Sequence, residues 1–270
     1  MKDKLFDISN NVVIVTGASG QLGLSYQKAF LERGAVVIGL DILRSDAIDH
    51  LEHEFCSKQY SFLKGDITSK SSLSNCLVDI EKNYGPPTVL INNAGLDSPP
   101  DSSSLDNGPF ESFPEESWDK VMDVNLKGTF LACQVFGSRM AKENYGSIIN
   151  ISSIYGLVSP DQTLYDYRRK NGEEFYKPVA YSASKSGLIN LTKYLAVYWA
   201  KNNVRVNTLT IAGVFNNQEQ EFLNLYEARI PISRMAKSNQ YDGAVIFLAS
   251  DASSYMTGSN LIVDGGWTAI

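Results

Sequence analysis

Short runs of β-branched residues recur along the chain, each followed by a stretch with helical periodicity. VVIVT (12–16), VVIGL (36–40), TVLIN (88–92), SIINI (147–151), VRVNTL (204–209) and NLIVD (260–264) are clear, and YSFLKGD (60–66) is a weaker seventh. Strands apolar on both faces and separated by helices predict βαβ units, hence a parallel sheet buried between two helical layers. No repeat, low-complexity tract or linker interrupts the series. With 270 residues, 43% hydrophobic and 20% charged, the chain suits one domain over 1–270. Two stretches exceed what connections require: DSPPDSSSLDNGPFESFP (97–114) and LVSPDQTLYDYRRKNGEEFYKP (157–178). Insertions of this length are functional or disordered, so both are candidates for covering a site.

A net charge of −6 and a pI near 5.0 speak against a nucleic-acid partner. No apolar run approaches the roughly 18 residues of a membrane span, and Met1-Lys2-Asp3-Lys4 leads into no signal-peptide core, so a cytoplasmic protein without membrane contact is expected. Cys56, Cys76 and Cys133 are odd in number and far apart, which predicts buried free thiols. His50 and His53 lack further clustered ligands, and no metal site is expected.

TGASGQLG (16–23) follows the first strand and opens a pattern in which Leu22, Tyr26, Ala29 and Phe30 share a helix face. Glycines permit a tight turn, and the helix N-terminus offers unpaired N–H groups and a positive dipole end to a phosphate. Strand before and helix after make this a dinucleotide-binding signal, with Gly17, Ser19, Gly20, Gln21, Leu22 and Gly23 as contacts. The second strand ends in Asp41, eighteen residues after Gly23. A carboxylate there accepts hydrogen bonds from both adenosine ribose hydroxyls and repels a 2′-phosphate, which predicts NAD over NADP. Arg44 argues the other way, and a helix N-cap is the competing role for Asp41.

YSASK (181–185) sets a phenol and an ammonium four residues apart, after KPVA and before a helical run carrying Leu188, Leu191 and Leu195. On a helix the two side chains share a face about 6 Å apart along the axis. A nearby cation favours a phenolate, and lowering a tyrosine pKa by about three units requires roughly 4 kcal/mol of differential stabilisation. Alone, such a pair also fits a half-exposed helix that merely packs and solvates.

In order, the glycine turn, Asp41, GDIT (65–68), NNAG (92–95), Asn125 in MDVNLKG, Ser153 in NISSIYG, YSASK and VDGG (263–266) resemble the short-chain dehydrogenase/reductases over essentially the whole chain. The resemblance implies an α/β, single-domain Rossmann fold: a doubly wound seven-stranded parallel sheet with helices on both faces, usually a homotetramer or homodimer. It implies a nicotinamide cofactor and four catalytic residues. Tyr181 would be the general acid/base, and Lys185 would hold the nicotinamide ribose and depress the tyrosine pKa. Ser153, in preference to Ser152, would bind the substrate oxygen, and Asn125 would orient a proton-relay water. Asp66 and Ile67 would contact adenine, Asn93, Ala94 and Gly95 would line the cofactor, and Val214 would meet the nicotinamide carboxamide.

Three departures stand out. Gly20 comes one position early and Gln21 fills the usual close-approach glycine; Ile211-Ala212 replaces the Pro-Gly after the sixth strand, with Asn216 for the usual threonine; and Ser153 and Tyr181 are 28 residues apart because 157–178 is inserted. In that insertion Arg168, Arg169 and Lys170 lie among aromatics, which suits a phosphorylated or nucleotide-linked sugar, or else a solvated excursion or subunit contact. The lengthened segment, AGVFNNQ and VDGGWT also resemble oxidoreductases of flagellin-glycan and legionaminic acid pathways. Three readings follow: an NAD-dependent sugar or polyol dehydrogenase, a ketone or alcohol reductase with an apolar substrate, and an NAD-binding sensor or scaffold without turnover. An intact Asn125, Ser153, Tyr181 and Lys185 set favours an enzyme.

Overall fold

The computed structural model describes residues 3–96 and 107–270. All seven expected runs are strands: β1 (Val12–Thr16), β2 (Val36–Asp41), β3 (Tyr60–Lys64), β4 (Val89–Asn92), β5 (Gly146–Ser153), β6 (Val204–Ile211) and β7 (Asn260–Val263). They pair in parallel in the order β3-β2-β1-β4-β5-β6-β7. The order reverses between β1 and β4, so the loops leaving these strands part and open a crevice at their carboxyl ends.

The connecting helices are α1 (Gln21–Leu31), α2 (Asp46–Glu54), α3 (Lys70–Tyr84), α4 (Glu115–Met122), α5 (Thr129–Ala132), α6 (Ser138–Glu143), α7 (Asp166–Lys170), α8 (Val179–Trp199), α9 (Gln220–Glu227) and α10 (Asp242–Ala249). Helices α4, α5 and α6 form one run, interrupted by π-helical turns at Asp123–Gly128 and Cys133–Gly137. Strand side chains alternate between two cores. Val13, Val15, Val37, Ile91, Ile149 and Leu209 pack against α1, α2 and α10, whereas Ile14, Ile38, Leu90, Ile148 and Val206 pack against α3, α5, α6 and α8. This two-sided burial is the Rossmann arrangement that the Val- and Ile-rich runs require.

A buried polar seam crosses the second core. Asn92 Nδ2 donates to Asn150 Oδ1, Asn150 Nδ2 to Thr192 Oγ1, and Thr208 Oγ1 to Thr192 Oγ1, each at 2.8 Å. It ties β4, β5 and β6 to α8, the helix that carries YSASK. Leaving one such group without its partner costs about 1–3 kcal/mol, so the seam selects a single seating of α8 on the sheet.

A third core lies beyond the carboxyl ends of the strands. Leu164, Tyr165 and Phe175 of the 157–178 insertion pack with Phe222 and Tyr226 of α9, and the Tyr165 ring lies 4.8 Å from Phe175 and 5.8 Å from Phe222. The insertion is thus folded against α9, with α7 inside it. Of the other long segment, 97–106 lies outside the described residues; Asn107 O accepts from Tyr176 N–H at 2.7 Å, joining the two. Cys76 and Cys133 are buried as expected, but Cys56 is exposed, in the turn that follows α2. No helix among the described residues is long and apolar enough to cross a membrane.

Asp242 opens α10 and accepts from Ser25 Oγ of α1 at 3.0 Å. Burial pushes its carboxyl up to about 6 despite that bond. A carboxyl raised in this way holds its proton more tightly in the folded chain. Its contribution therefore favours the fold at pH below the usual carboxylate value and is lost as pH rises through about 6. Asp242→Asn is expected to raise the thermal midpoint relative to the wild type at pH 8 and to give no gain at pH 4.5, as read by scanning calorimetry.

Candidate active site

A cavity of about 670 Å³ opens at the carboxyl ends of β4, β5 and β6. Of the residues expected from sequence, Gln21, Leu22, Asn93, Gly95, Ser153, Tyr181, Lys185 and Val214 line it. Gly17, Ser19, Gly20, Gly23, Asp41, Asp66, Ile67, Ala94 and Asn125 do not; they form the turn, the strand ends and the helix that frame it.

The glycine turn is shaped by contact. Gly17 has φ +66°, and a Cβ there would lie 2.7 Å from Ala94 Cα; a Cβ on Gly23 would lie 2.1 Å from Gly17 O. Side chains hold the turn closed. Buried Gln27 donates to Ala18 O at 2.7 Å and Gly23 O at 3.0 Å, and Asn93 Nδ2 donates to Thr16 O at 3.1 Å and Gly17 O at 3.2 Å. Gly20 caps α1 with no side-chain acceptor for the first N–H groups, and a Cβ on it would find only Gly17 O within 4 Å. Open space above bare helix N–H groups suits a pyrophosphate.

Asp41 sits at the end of β2, where Oδ2 accepts from Ser19 N–H at 3.0 Å and Oδ1 from Leu43 N–H at 3.2 Å. The carboxylate is thereby fixed beside the turn. Arg44, the competing cation, pairs with Asp49 and Glu52 of α2 and lies over the Phe62 ring. Asp66 Oδ1 accepts from Thr68 N–H and Oγ1 at 2.8 and 2.7 Å, ordering the loop ahead of α3. Ile67 packs where a Cβ on Gly128 would meet its Cδ1 at 2.7 Å. These residues fit a nicotinamide dinucleotide.

Pro178 precedes the first turn of α8, where its missing N–H costs nothing, and the helix then places Tyr181 and Lys185 on the cavity wall. Lys185 Nζ donates to Ile151 O at 2.9 Å and lies 5.9 Å from the Tyr181 ring centroid. Ser153 ends β5, and its Oγ accepts from Tyr155 N–H at 3.2 Å. Ser152 faces α8, with Oγ donating to Lys185 O at 2.8 Å. Asn125 stands in the first π-helical turn, a local form that re-aims side chains at functional sites. Its Oδ1 accepts from Leu96 N–H at 2.7 Å, and its Nδ2 donates to Leu96 O and Ser184 Oγ, both at 3.0 Å. A Cβ on Gly95 would meet Asn125 Oδ1 at 3.3 Å and Lys185 Nζ at 3.4 Å, so the amide and ammonium flank one point.

The insertion reaches the cavity through residues other than the expected arginines. Arg168 pairs with Glu173 and lies 4.3 Å from the Phe175 ring centroid. Arg169 donates to Phe175 O and Gln162 O, both at 2.6 Å, and pairs with Asp166. Both guanidiniums have their acceptors within the folded segment, although Arg168 Nη1 is buried with no hydrogen-bond partner among the described residues, and neither arginine lines the cavity. Tyr165 and Lys177 line it instead, with Tyr155 just ahead of the segment. The only sequence signal for Lys177 is its place in KPVA, directly before YSASK.

The departures have local consequences. Ile211 remains in β6, paired with Ser153 and Val263, because a residue with an N–H extends the ladder where proline would end it. The following loop is held by a Val214–Ala236 bridge, by Gln218 Nε2 donating to Val214 O at 2.8 Å and by Tyr226 OH accepting from Gly213 N–H at 2.8 Å. Gln21 reaches across the cavity mouth and donates to Phe215 O at 2.8 Å.

Residues 17–268 match the family model described as enoyl-(acyl carrier protein) reductase. An NAD-dependent glycerol dehydrogenase of Listeria innocua is 32% identical over 98% of this chain and 97% of its own length. The chain belongs to the short-chain dehydrogenase/reductase family. It is similar also to the post-translational flagellin modification protein A of Campylobacter coli, 32% identical over 96% and 99% of the two chains. The short-chain dehydrogenase of Leptospira borgpetersenii solved with bound NAD+ superposes with a TM-score of 0.86 at 31% identity, covering 99% of this chain and 96% of that one. As a short-chain dehydrogenase/reductase the protein is an oxidoreductase of secondary alcohols.

The family's Tyr–Lys helix depends here on one close approach. A Cβ on Gly156 would lie 2.8 Å from Lys185 C and O and from Ser152 Oγ. Gly156→Ala is expected to lose about 1–3 kcal/mol in urea unfolding and at least tenfold in turnover. Gly243, with nothing within 4 Å of its Cβ position, is the control and should tolerate alanine.

Proposed function

We propose that the protein is an NAD-dependent dehydrogenase acting on a secondary alcohol of a sugar or polyol. The observation that carries this reading is the convergence of Ser153, Tyr181 and Lys185 on a cavity whose lining also includes Tyr165, Asn216, Gln218, Glu219 and Tyr226, beside the apolar Phe222 and Met235. The hydroxyl, amide and carboxylate groups among them offer hydrogen-bond partners to a polyhydroxylated substrate. The phosphorylated or nucleotide-linked sugar suggested by Arg168 and Arg169 loses that support, since both are engaged within the insertion.

In this reading Ser153 donates a hydrogen bond to the substrate oxygen and fixes it. Tyr181 removes the hydroxyl proton during oxidation and returns it to the carbonyl during reduction. Lys185 favours the phenolate through its charge. Asn125, bracketed by Leu96 and Ser184, would hold the route by which the proton leaves toward solvent. The nicotinamide, when bound, supplies or takes up the hydride. Asp41 would accept from the adenosine ribose hydroxyls and disfavour a 2′-phosphate, with Arg44 turned to its own helix.

The exposed stripe Tyr194, Val197 and Tyr198 on α8 fits a subunit contact in a homodimer or homotetramer.

Tyr181→Phe is expected to keep NADH affinity and to lose about 10³-fold in turnover, measured with a polyol panel; full turnover in the variant would remove the acid/base assignment. Calorimetric titration should give tighter NADH than NADPH binding, and Asp41→Ala should narrow that ratio at least tenfold. Tighter NADPH binding by the wild type would refute the Asp41 argument.

A further inference from the structure

The insertion takes hold of α9 along its length. Tyr167 OH donates to Glu219 Oε2 at 2.7 Å where the helix starts, and the Tyr165 ring lies 5.8 Å from that of Phe222 within it. Just past its end, Arg229 donates to Asp161 Oδ2 at 3.0 Å and to Thr163 Oγ1 at 2.9 Å. Glu219, Phe222 and Tyr226 are spaced three and four residues apart, so they share one helix face, and all three line the cavity. The inserted segment thus sets the position of one side of the cavity.

Glu219 is the one carboxylate among the described lining residues. Its Oε2 is held by Tyr167, and its Oε1 has no hydrogen-bond partner among the described residues. Burial, and then the carboxylate itself, push the Tyr167 phenol well above its ordinary value, so the phenol stays a donor and Glu219 stays an acceptor. The preceding side chain is turned inward: Gln218 Oε1 accepts from Asn216 N–H and Gln218 Nε2 donates to Val214 O, both at 2.8 Å, which closes the loop on itself. The lining cations gather at the proposed acid/base, with Lys177 Nζ 4.8 Å and Lys185 Nζ 5.9 Å from the Tyr181 ring centroid. A substrate whose carbinol meets Tyr181 therefore has positive charge beside its reacting carbon and an anchored negative charge at the start of α9.

We infer that Glu219 is a specificity-determining residue: it accepts hydrogen bonds from donor groups on the substrate, away from the reacting carbinol, and turns away substrates that carry an anion there. This rests on the sugar or polyol dehydrogenase reading and narrows its substrate class to neutral or amino-bearing members. The segment between Ser153 and Tyr181 then serves, through Tyr167, to hold that acceptor in place.

The test uses three ligands that share one carbon skeleton and differ at one end: at neutral pH glucamine carries an ammonium, D-sorbitol a hydroxyl and D-gluconate a carboxylate. Binding of each to the enzyme with and without NADH is measured by calorimetry, and kcat/KM is measured where turnover occurs. The wild type should bind sorbitol or glucamine about tenfold more tightly than gluconate; which of the two binds better assigns a hydroxyl or an ammonium as the preferred donor. E219Q, which keeps the shape and removes the charge, should bring that preference below about threefold. Y167F, which loosens the carboxylate without removing its charge, should lower it less. Unchanged NADH affinity and thermal midpoint in both variants would show an intact fold. A wild type without the preference, no measurable binding of either sorbitol or glucamine, or an equal loss on all three ligands in E219Q would overturn the inference. Failure to bind NADH would instead sink the dehydrogenase reading, while the order of the three ligands on the protein alone would still decide the role of Glu219.

Discussion

The seating of α8 on the carboxyl half of β5 is the contact on which the rest of the site depends. Ser152 Oγ holds Lys185 O, Lys185 Nζ holds Ile151 O, and Gly156 leaves no room for a side chain between them. Further along the helix, Thr192 continues the attachment through Asn150 and Thr208. These bonds are buried, so breaking any one strands a polar group away from water. They fix the distance between the serine on a strand and the tyrosine on a helix, the two side chains that in the proposed reaction address one substrate oxygen.

A parallel sheet makes this economical. All strands end on the same side, and the reversal of order between β1 and β4 leaves a crevice there. The glycine turn after β1, the Asp41 end of β2, the Asn93–Gly95 corner after β4 and Ser153 after β5 are brought to that side by topology alone. Polar side chains then couple them. Thr16 Oγ1 accepts from the N–H groups of Asn93 and Ala94, both at 3.1 Å, and Asn93 in return holds the turn carbonyls. In NNAG, Asn93 therefore acts chiefly as a strut between β1 and β4, though it also reaches the cavity wall.

Around this fixed floor the variable wall is made by segments without a regular pattern. The 157–178 insertion builds a small aromatic core with α9, ties Arg169 to its own carbonyls, and contributes Tyr165 and Lys177 to the cavity lining. Gln21, in a position where a glycine would lie close to a bound cofactor, instead reaches the loop after β6 and closes the cavity mouth from the far side. Both features replace generic family positions with side chains that make contacts particular to this chain.

Much of the fold, and the meeting of Ser153, Tyr181 and Lys185 at one cavity, was legible because those signals are local. Seven Val- and Ile-rich runs become seven strands since two-sided burial writes itself into consecutive residues, and Tyr181 with Lys185 share a face since helix geometry links positions four apart. The glycine turn is equally local, with its strand before and its helix after. Charge partnership is not. Arg168 and Arg169 looked free in sequence, yet Arg168 pairs with Glu173 and Arg169 donates to the backbone carbonyls of Phe175 and Gln162, which no composition reveals. Lys177 carries no sequence signal beyond its place in KPVA, yet its Nζ lies 4.8 Å from the Tyr181 ring centroid, and the Gln21–Phe215 contact joins positions 194 residues apart. Short-range periodicity and steric demand wrote the sheet and the glycine turn into the chain, along with the four-residue spacing that puts Tyr181 and Lys185 on one helix face. Which cations line the cavity was settled by folding, because that depends on which distant carbonyls and carboxylates come within reach.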